Sequence, residues 1–306
     1  MKKKIVLLTL LTLTGISFMT SCKKDKTMPV PANITVTQYV ESDDSFSILA
    51  QALTKANLAD VLNGNGNFTV FAPTNDAFNA LFQQLGVSGL SDLSAQTLTP
   101  ILLYHVLGVE KLSTMLSTGY YSALSPAQGN YLSMYISTSN GVSINSVANV
   151  TQADIKCKNG VIHVINKVLL PPTLVDQAIN NSNFSILVQA VVKAGLVETL
   201  KGTGPFTIFA PTNAAFESLF MQLGVTGIAD LTADQLTPIL LYHVVSGNIR
   251  SNQLTAGPVT TLNGAIQVTL TPTPQINGNT NIIATDVQAT NGVVHVIDKV
   301  LLPASK

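Results

Sequence analysis

Two tandem domains of the α+β class are what this 306-residue sequence predicts, and three observations carry the prediction. The stretch FTVFAPTNDAFNALFQQLGVSGLSDLSAQTLTPILLYHV (68–106) returns as FTIFAPTNAAFESLFMQLGVTGIADLTADQLTPILLYHV (206–244), with 28 of 39 positions identical at an offset of 138. A second block, NGVIHVINKVLLP (159–171), returns as NGVVHVIDKVLLP (291–303) at an offset of 132, so the second copy lacks six residues between the blocks. A period of this length is a whole domain, too long for solenoid units of about 20 to 50 residues. Within each copy, apolar residues at helical spacing give way to period-two alternation, the pattern of helices packed on an antiparallel sheet.

Each copy opens with an amphipathic helix. Phe46, Leu49 and Leu53 in the first copy, and Phe184, Leu187 and Val191 in the second, stand at i, i+3 and i+7 behind an Asp/Ser or Asn/Ser start. A strand over residues 67–72 follows the turn Asn63-Gly64-Asn65-Gly66, whose glycines admit positive φ. Thr74 or Asn75 then caps a helix with the apolar stripe Ala77, Phe78, Leu81, Phe82 and Leu85, stopped by Gly86. Thr99-Pro100 reads as a cap followed by proline at the first helical position, opening the helix that carries Leu102, Leu103, Tyr104, His105 and Val106. Alternating apolar residues at 131–136, 142–144 and 161–169 complete an antiparallel sheet, with Tyr120-Tyr121 in a loop before it.

The first residues stand apart from this grammar. Lys2, Lys3 and Lys4 precede an apolar run from Ile5 to Phe18 that is too short and too broken by threonine for a permanent span of about 20 apolar residues, so it reads as an export signal. Met19-Thr20-Ser21-Cys22 resembles a bacterial lipobox, in which Cys22 becomes the acylated first residue. The organisation expected is a signal peptide over 1–21, a tether over 22–33, a first domain over 34–172 and a second over 173–306, with Pro171-Pro172-Thr173 a short spacer that keeps the domains in contact as a short rod. Lys23 stands where aspartate would favour inner-membrane retention, so the expected location is the outer membrane, at the cell surface or on its periplasmic face.

The phrase T-x-F-A-P-T-N-x-A-F, the L-x-x-I-L-x-Y-H-V helix and the closing N-G-V-[IV]-H-V-I-[ND]-K-V-L-L-P resemble the fasciclin-like domain family in all three signature regions, twice over, from about residue 34 to Pro303. The resemblance implies that each domain is a wedge-shaped β-sandwich with packed helices, acting as an extracellular adhesion module and not as an enzyme. In animal members a Tyr-His pair and an Asp-Ile pair are implicated in integrin contact. Tyr104-His105 and Tyr242-His243 match the first, Asp154-Ile155 the second, and Asp286-Val287 matches it in part. These pairs can equally hold the helix on the sheet through hydrogen bonds to backbone groups.

Composition narrows the functional classes. Sixteen Lys+Arg balance sixteen Asp+Glu, and loss of residues 1–21 would leave 13 against 16, so no basic field exists for a nucleic-acid partner. Two cysteines cannot build a disulfide scaffold, no Cys/His cluster suits a metal, and Cys157 reads as a small buried hydrophobe. Asn63-Gly64-Asn65-Gly66-Asn67 and Asn277-Gly278-Asn279-Thr280-Asn281 lack the carboxylates of a calcium loop and read as turns. No cofactor motif appears. All four histidines, His105, His163, His243 and His295, sit among aliphatic residues and are expected to be buried with both ring nitrogens bonded. Asp76 becomes Ala214 in the second copy, which suits a helix-start charge better than a shared active site. The copies differ most between their blocks, where the first carries Tyr120, Tyr121, Tyr131 and Tyr135. Tyr120-Tyr121 is the expected contact for a protein or glycan ligand, while Tyr131 and Tyr135 read as sheet packing. The reading is a lipid-anchored adhesion protein; the alternative is a polysaccharide-binding accessory lipoprotein of a nutrient-uptake system.

Overall fold

A computed structural model describes residues 33–304, so the leader, Cys22 and nearly all of the tether lie outside the described residues. Each copy contributes five α-helices and seven strands to the described residues, in the same order. The first copy runs α1 Val36–Ser42, α2 Ser47–Lys55, α3 Ala59–Asn63, β1 Phe68–Pro73, α4 Asn75–Leu85, α5 Ala95–Tyr104, β2 Val106–Leu107, β3 Gly119–Ala127, β4 Asn130–Ser137, β5 Ser143–Ile144, β6 Ala148–Cys157 and β7 Gly160–Ile165. The second runs α6 Leu174–Ile179, α7 Ser185–Lys193, α8 Val197–Lys201, β8 Phe206–Pro211, α9 Asn213–Leu223, α10 Ala233–Tyr242, β9 Val244–Ser246, β10 Gly257–Thr261, β11 Gly264–Thr269, β12 Gln275–Ile276, β13 Thr280–Ala289 and β14 Gly292–Ile297.

Local chemistry sets most boundaries. The Thr74 hydroxyl accepts from the Ala77 N–H at the start of α4, and Gly86 ends it with φ 67°, a left-handed cap. Phe46 lies in a tight turn, Asp44–Phe46, that feeds α2, and α1 ahead of it is a helix that the apolar spacing did not signal; Thr35 and Gln38 form its capping box. The cap of α5 is Ser94, not Thr99, and Pro100 lies inside the helix. The fixed φ of proline is helical, and the carbonyl it leaves unpaired, on exposed Gln96, stays solvated. Nor do the turn glycines use positive φ: Gly64 has φ −69°, and a Cβ on Gly66 would fall 2.4 Å from the Phe68 ring. Close approach explains that glycine.

The sheets are not purely antiparallel. β1 and β7 pair in parallel from Phe68↔Gly160 to Pro73↔Ile165, as do β8 and β14. Both strands of each pair are buried on both faces, which is why the histidine blocks read as continuous apolar runs and not as alternation. A Cβ on Gly160 would sit 2.1 Å from the Phe68 carbonyl oxygen, so only glycine lets β7 start there. In the first copy the seven strands close into a barrel; in the second, the order β10-β11-β12-β13-β14-β8-β9 leaves β9 and β10 joined by one bond, Leu262 N–H to Val244 C=O. The parallel strands separate two cores. Helices pack on one side, around Phe78, Leu98 and Leu62, and the barrel interior holds Phe71, Tyr104, Leu107, Met134 and Ile136 on the other.

The two domains share an interface. Gly119 pairs with Ile136 and Gly257 with Val268, so the six residues missing from the second copy come from this hairpin. In the first copy the longer β3–β4 hairpin lies against the second domain: Gln128 donates to the Thr290 carbonyl, Arg250 donates to Asn130, and the Gln288 N–H donates to the Ser133 hydroxyl at 2.9 Å. Gln177 donates to the carbonyls of Ser133 and Gln288. The spacer is pinned as well, because the Pro172 carbonyl accepts from both the N–H and the hydroxyl of Thr290.

Candidate functional site

The repeated Tyr-His pairs end α5 and α10 and point inward. Tyr104 is fully buried; its hydroxyl donates to the Ser133 carbonyl at 2.9 Å and accepts from the Asn145 amide. Burial pushes its pKa well up. Tyr242 repeats the arrangement, with Ala265 and Asn277 in those places. His105 Nδ1 bonds the Ile101 carbonyl at 2.8 Å and Nε2 accepts from the Leu169 N–H at 2.9 Å. His243 does the same with Ile239 and Leu301. Donor on one nitrogen and acceptor on the other require the neutral imidazole. Burial pulls both pKa values down to about 4, against a smaller opposing effect of the backbone carbonyl. These rings stitch the helix ends to the segments after β7 and β14.

His163 and His295 stitch another seam. Their Nε2 atoms meet the carbonyls of Lys111 and Ile249, and their Nδ1 atoms accept from the N–H groups of Asp154 and Asp286. Both are held below the usual histidine range, chiefly by burial. Asp154, the aspartate of the matched Asp-Ile pair, has φ 63° at an irregularity of β6. Its carboxylate accepts from the N–H and hydroxyl of Ser113. Burial pushes that carboxyl up, but the two Ser113 bonds outweigh it and hold the pKa below the ordinary value. Ile155 beside it is buried in the helix-side core. Asp286 copies this with Ser251 and adds Arg250 at 3.4 Å.

The aromatic lead lies elsewhere than expected. Tyr120 and Tyr121 belong to β3, not to a loop, because the hairpin is long enough to carry both as cross-strand partners of Tyr135 and Met134. Tyr120 turns its ring to the second domain's core; its hydroxyl accepts from the Asn181 amide at 3.0 Å, and burial pushes its pKa up to about 12. Tyr121 is half-buried, its hydroxyl bonded to the N–H and carbonyl of Ser117. Tyr135 is buried against Tyr120 with centroids 5.1 Å apart, whereas Tyr131 is 55% exposed. Cys157 is half-buried against the helix-side core, and burial pushes its thiol up to about 11, away from a reactive thiolate.

Other signature residues, unremarked from sequence, prove to be clamps. Asn159 accepts from the Val36 N–H and donates to the carbonyls of Leu62 and Gly64; Asn291 repeats all three contacts. Thr69 and Thr207 bridge backbone groups 40 residues on. Their signal was available: a polar residue kept in both copies beside a buried strand. Among the described residues no group of three His, Cys, Asp or Glu side chains is placed to hold a metal, and no helix is long and apolar enough to cross a membrane.

The chain is 43% identical over 132 residues to protein sll1483 of Synechocystis, covering 43% of this chain and 73% of that one. It is 28% identical to human periostin over 256 residues, which is 82% of this chain and 30% of periostin, so it spans under a third of that relative. Among solved structures, the FAS1 domain pair of the insect cell adhesion molecule Fasciclin I aligns with a TM-score of 0.48 and 20% identity, covering 87% of this chain and 96% of the pair. The Fasciclin domain model matches twice, at residues 44–171 and 182–303, and with the duplicated, inward-facing signature this places the chain in the fasciclin domain family.

Proposed function

We propose that the protein is a non-catalytic adhesion or interaction module, held at the cell envelope by acylation of Cys22 and displaying its two domains to an extracellular protein or matrix ligand. One observation carries this reading: in both copies the imidazole that ends the Tyr-His helix is buried with both ring nitrogens bonded to backbone, so neither is free to serve as a base. What remains for function is surface. Contact of this kind spreads over many modest interactions, with aromatic side chains as anchors. Tyr131 and the open face of Tyr121 are the aromatics of the long hairpin that a ligand can reach. Tyr104, His105, Ile155, Tyr242 and His243 serve architecture in this reading, and Asp154 fixes a strand irregularity.

Immobilised residues 33–306 should capture a partner from intact envelopes, and the paired change Tyr121→Ala with Tyr131→Ala should weaken capture while the melting temperature holds. Full capture by that variant would remove the aromatic anchors from the proposal. Exposed Tyr131 also favours sugar stacking, so a glycan array on the same domains separates the polysaccharide-binding alternative. Lipid attachment is read by metabolic labelling with an alkynyl fatty acid, which should vanish in Cys22→Ala.

A further inference from the structure

We propose that the second domain holds a binding site for a small apolar molecule bearing one hydrogen-bond donor, in an apolar cavity between α6, α7 and the central strands, with Gln177 as its polar anchor. This goes beyond the adhesion reading and does not depend on it. The cavity measures about 100 Å3 and its walls are almost wholly aliphatic or aromatic. An apolar cavity on the order of 150 Å3 stays dry and takes up benzene, so this smaller one holds a short alkyl segment, or a single ring that extends partly into the mouth.

The duplication shows how the space arises. Leu53, Ile155 and Ile162 of the first copy each lose one carbon as Val191, Val287 and Val294, and Val40 loses two as Ala178, while one carbon is gained at each of Leu174 and Ile208 and two at each of Val188 and Val197, so the aliphatic lining is redistributed and the largest single reduction is Gln177 in place of Tyr39. At the mouth the trend is opposite in kind. Glu41 and Thr54 become Ile179 and Val192, which are 53% and 60% exposed. Polar groups that would keep an opening wet have become apolar ones that favour entry of an apolar guest. Tyr120 of the first domain forms one wall, so the site is complete only in the tandem pair.

Gln177 gives the site its polarity. It replaces Tyr39, lines the cavity and is 1% exposed. Its amide nitrogen donates to two carbonyls, Ser133 at 2.7 Å and Gln288 at 3.0 Å, which fixes the orientation of the amide. The oxygen, on the other arm of that amide, is buried with no partner among the described residues. A buried acceptor left unpaired is costly, and a guest that donates an O–H or N–H relieves that cost.

Benzyl alcohol and its isomer anisole test the proposal on the full-length protein. They contain the same atoms, but only the alcohol donates a hydrogen bond, and anisole, the more weakly hydrated, would lead if burial alone decided. Chemical-shift titration should show benzyl alcohol binding in the millimolar range, several-fold tighter than anisole, with intermolecular contacts to the methyls of Val191, Val287 and Val294. The triple variant Val191→Leu, Val287→Ile, Val294→Ile installs side chains that the first copy already accommodates; it should abolish binding and melt no lower. No saturable binding to the wild type would overturn the site, as would contacts to other methyls, which decide the matter even if the triple variant fails to fold. Anisole binding as tightly as the alcohol would overturn the role of Gln177.

Discussion

The two domains share a skeleton of polar clamps and diverge in what surrounds it. Tyr104 and Tyr242 reach equivalent carbonyls, Ser133 and Ala265, yet only the Ser133 carbonyl also accepts from Gln177 of the neighbouring domain. The first barrel closes, and its extra six residues extend a hairpin across the joint; the second is shorter, open between β9 and β10, and hollowed beside α6. The lesson is that residues kept in both copies hold each domain together, while residues that changed after duplication built the junction between them.

Acid should expose the shared skeleton most strongly. His105 and His243 titrate near 6.5 when unfolded and at about 4 when folded, so the unfolded chain takes up protons first as pH drops. Their contribution is intact above about pH 6.5 and is lost progressively toward pH 4, on the order of 3 kcal/mol for each ring. His163 and His295 shift the same way. Urea midpoints between pH 7 and pH 4.5 should fall steeply in both domains; a flat profile would contradict neutral, doubly bonded rings. His105→Ala should then cost about 3 kcal/mol at pH 7 by orphaning the Leu169 N–H and the Ile101 carbonyl, and should flatten the first domain's pH profile. A loss of capture by this variant with unchanged melting would instead return the Tyr-His pair to the surface.

Smaller effects sharpen the contrast between copies. Tyr104→Phe should cost about 1 to 2 kcal/mol through the stranded Asn145 amide, and Tyr242→Phe less, since its Asn277 contact is long at 3.3 Å. Tyr120→Ala, a change in the first domain, should lower the second domain's melting by calorimetry, because its ring packs on that core. Tyr131→Ala should shift stability by under about 0.5 kcal/mol.

Features governed by local chemistry were legible in the sequence. The α4 stripe from Ala77 to Phe82 with its caps, the duplication, the β4 strand and the buried histidines all follow from spacing and residue type, whereas Leu85, expected in the stripe, is exposed in the last turn. What escaped depended on partners far along the chain. Tyr120-Tyr121 reads as a loop because the core that Tyr120 packs on belongs to the second domain and the strand partners of the pair lie across the hairpin, and the parallel pairing of β1 with β7 joins blocks that no local pattern connects. Pro100 misled through its usual preference for a first turn, which an exposed carbonyl overrides here. The cavity depends on packing among α6, α7 and strands far apart in the chain, which no local pattern carries.

The two hydrogen bonds from Thr290 to the Pro172 carbonyl have a mechanical consequence. Tension applied across the two domains reaches the second one at a point fastened beside the turn between β13 and β14. The load therefore divides between the connecting peptide and the barrel wall, and the pair stretches as one strut instead of paying out as beads on a string.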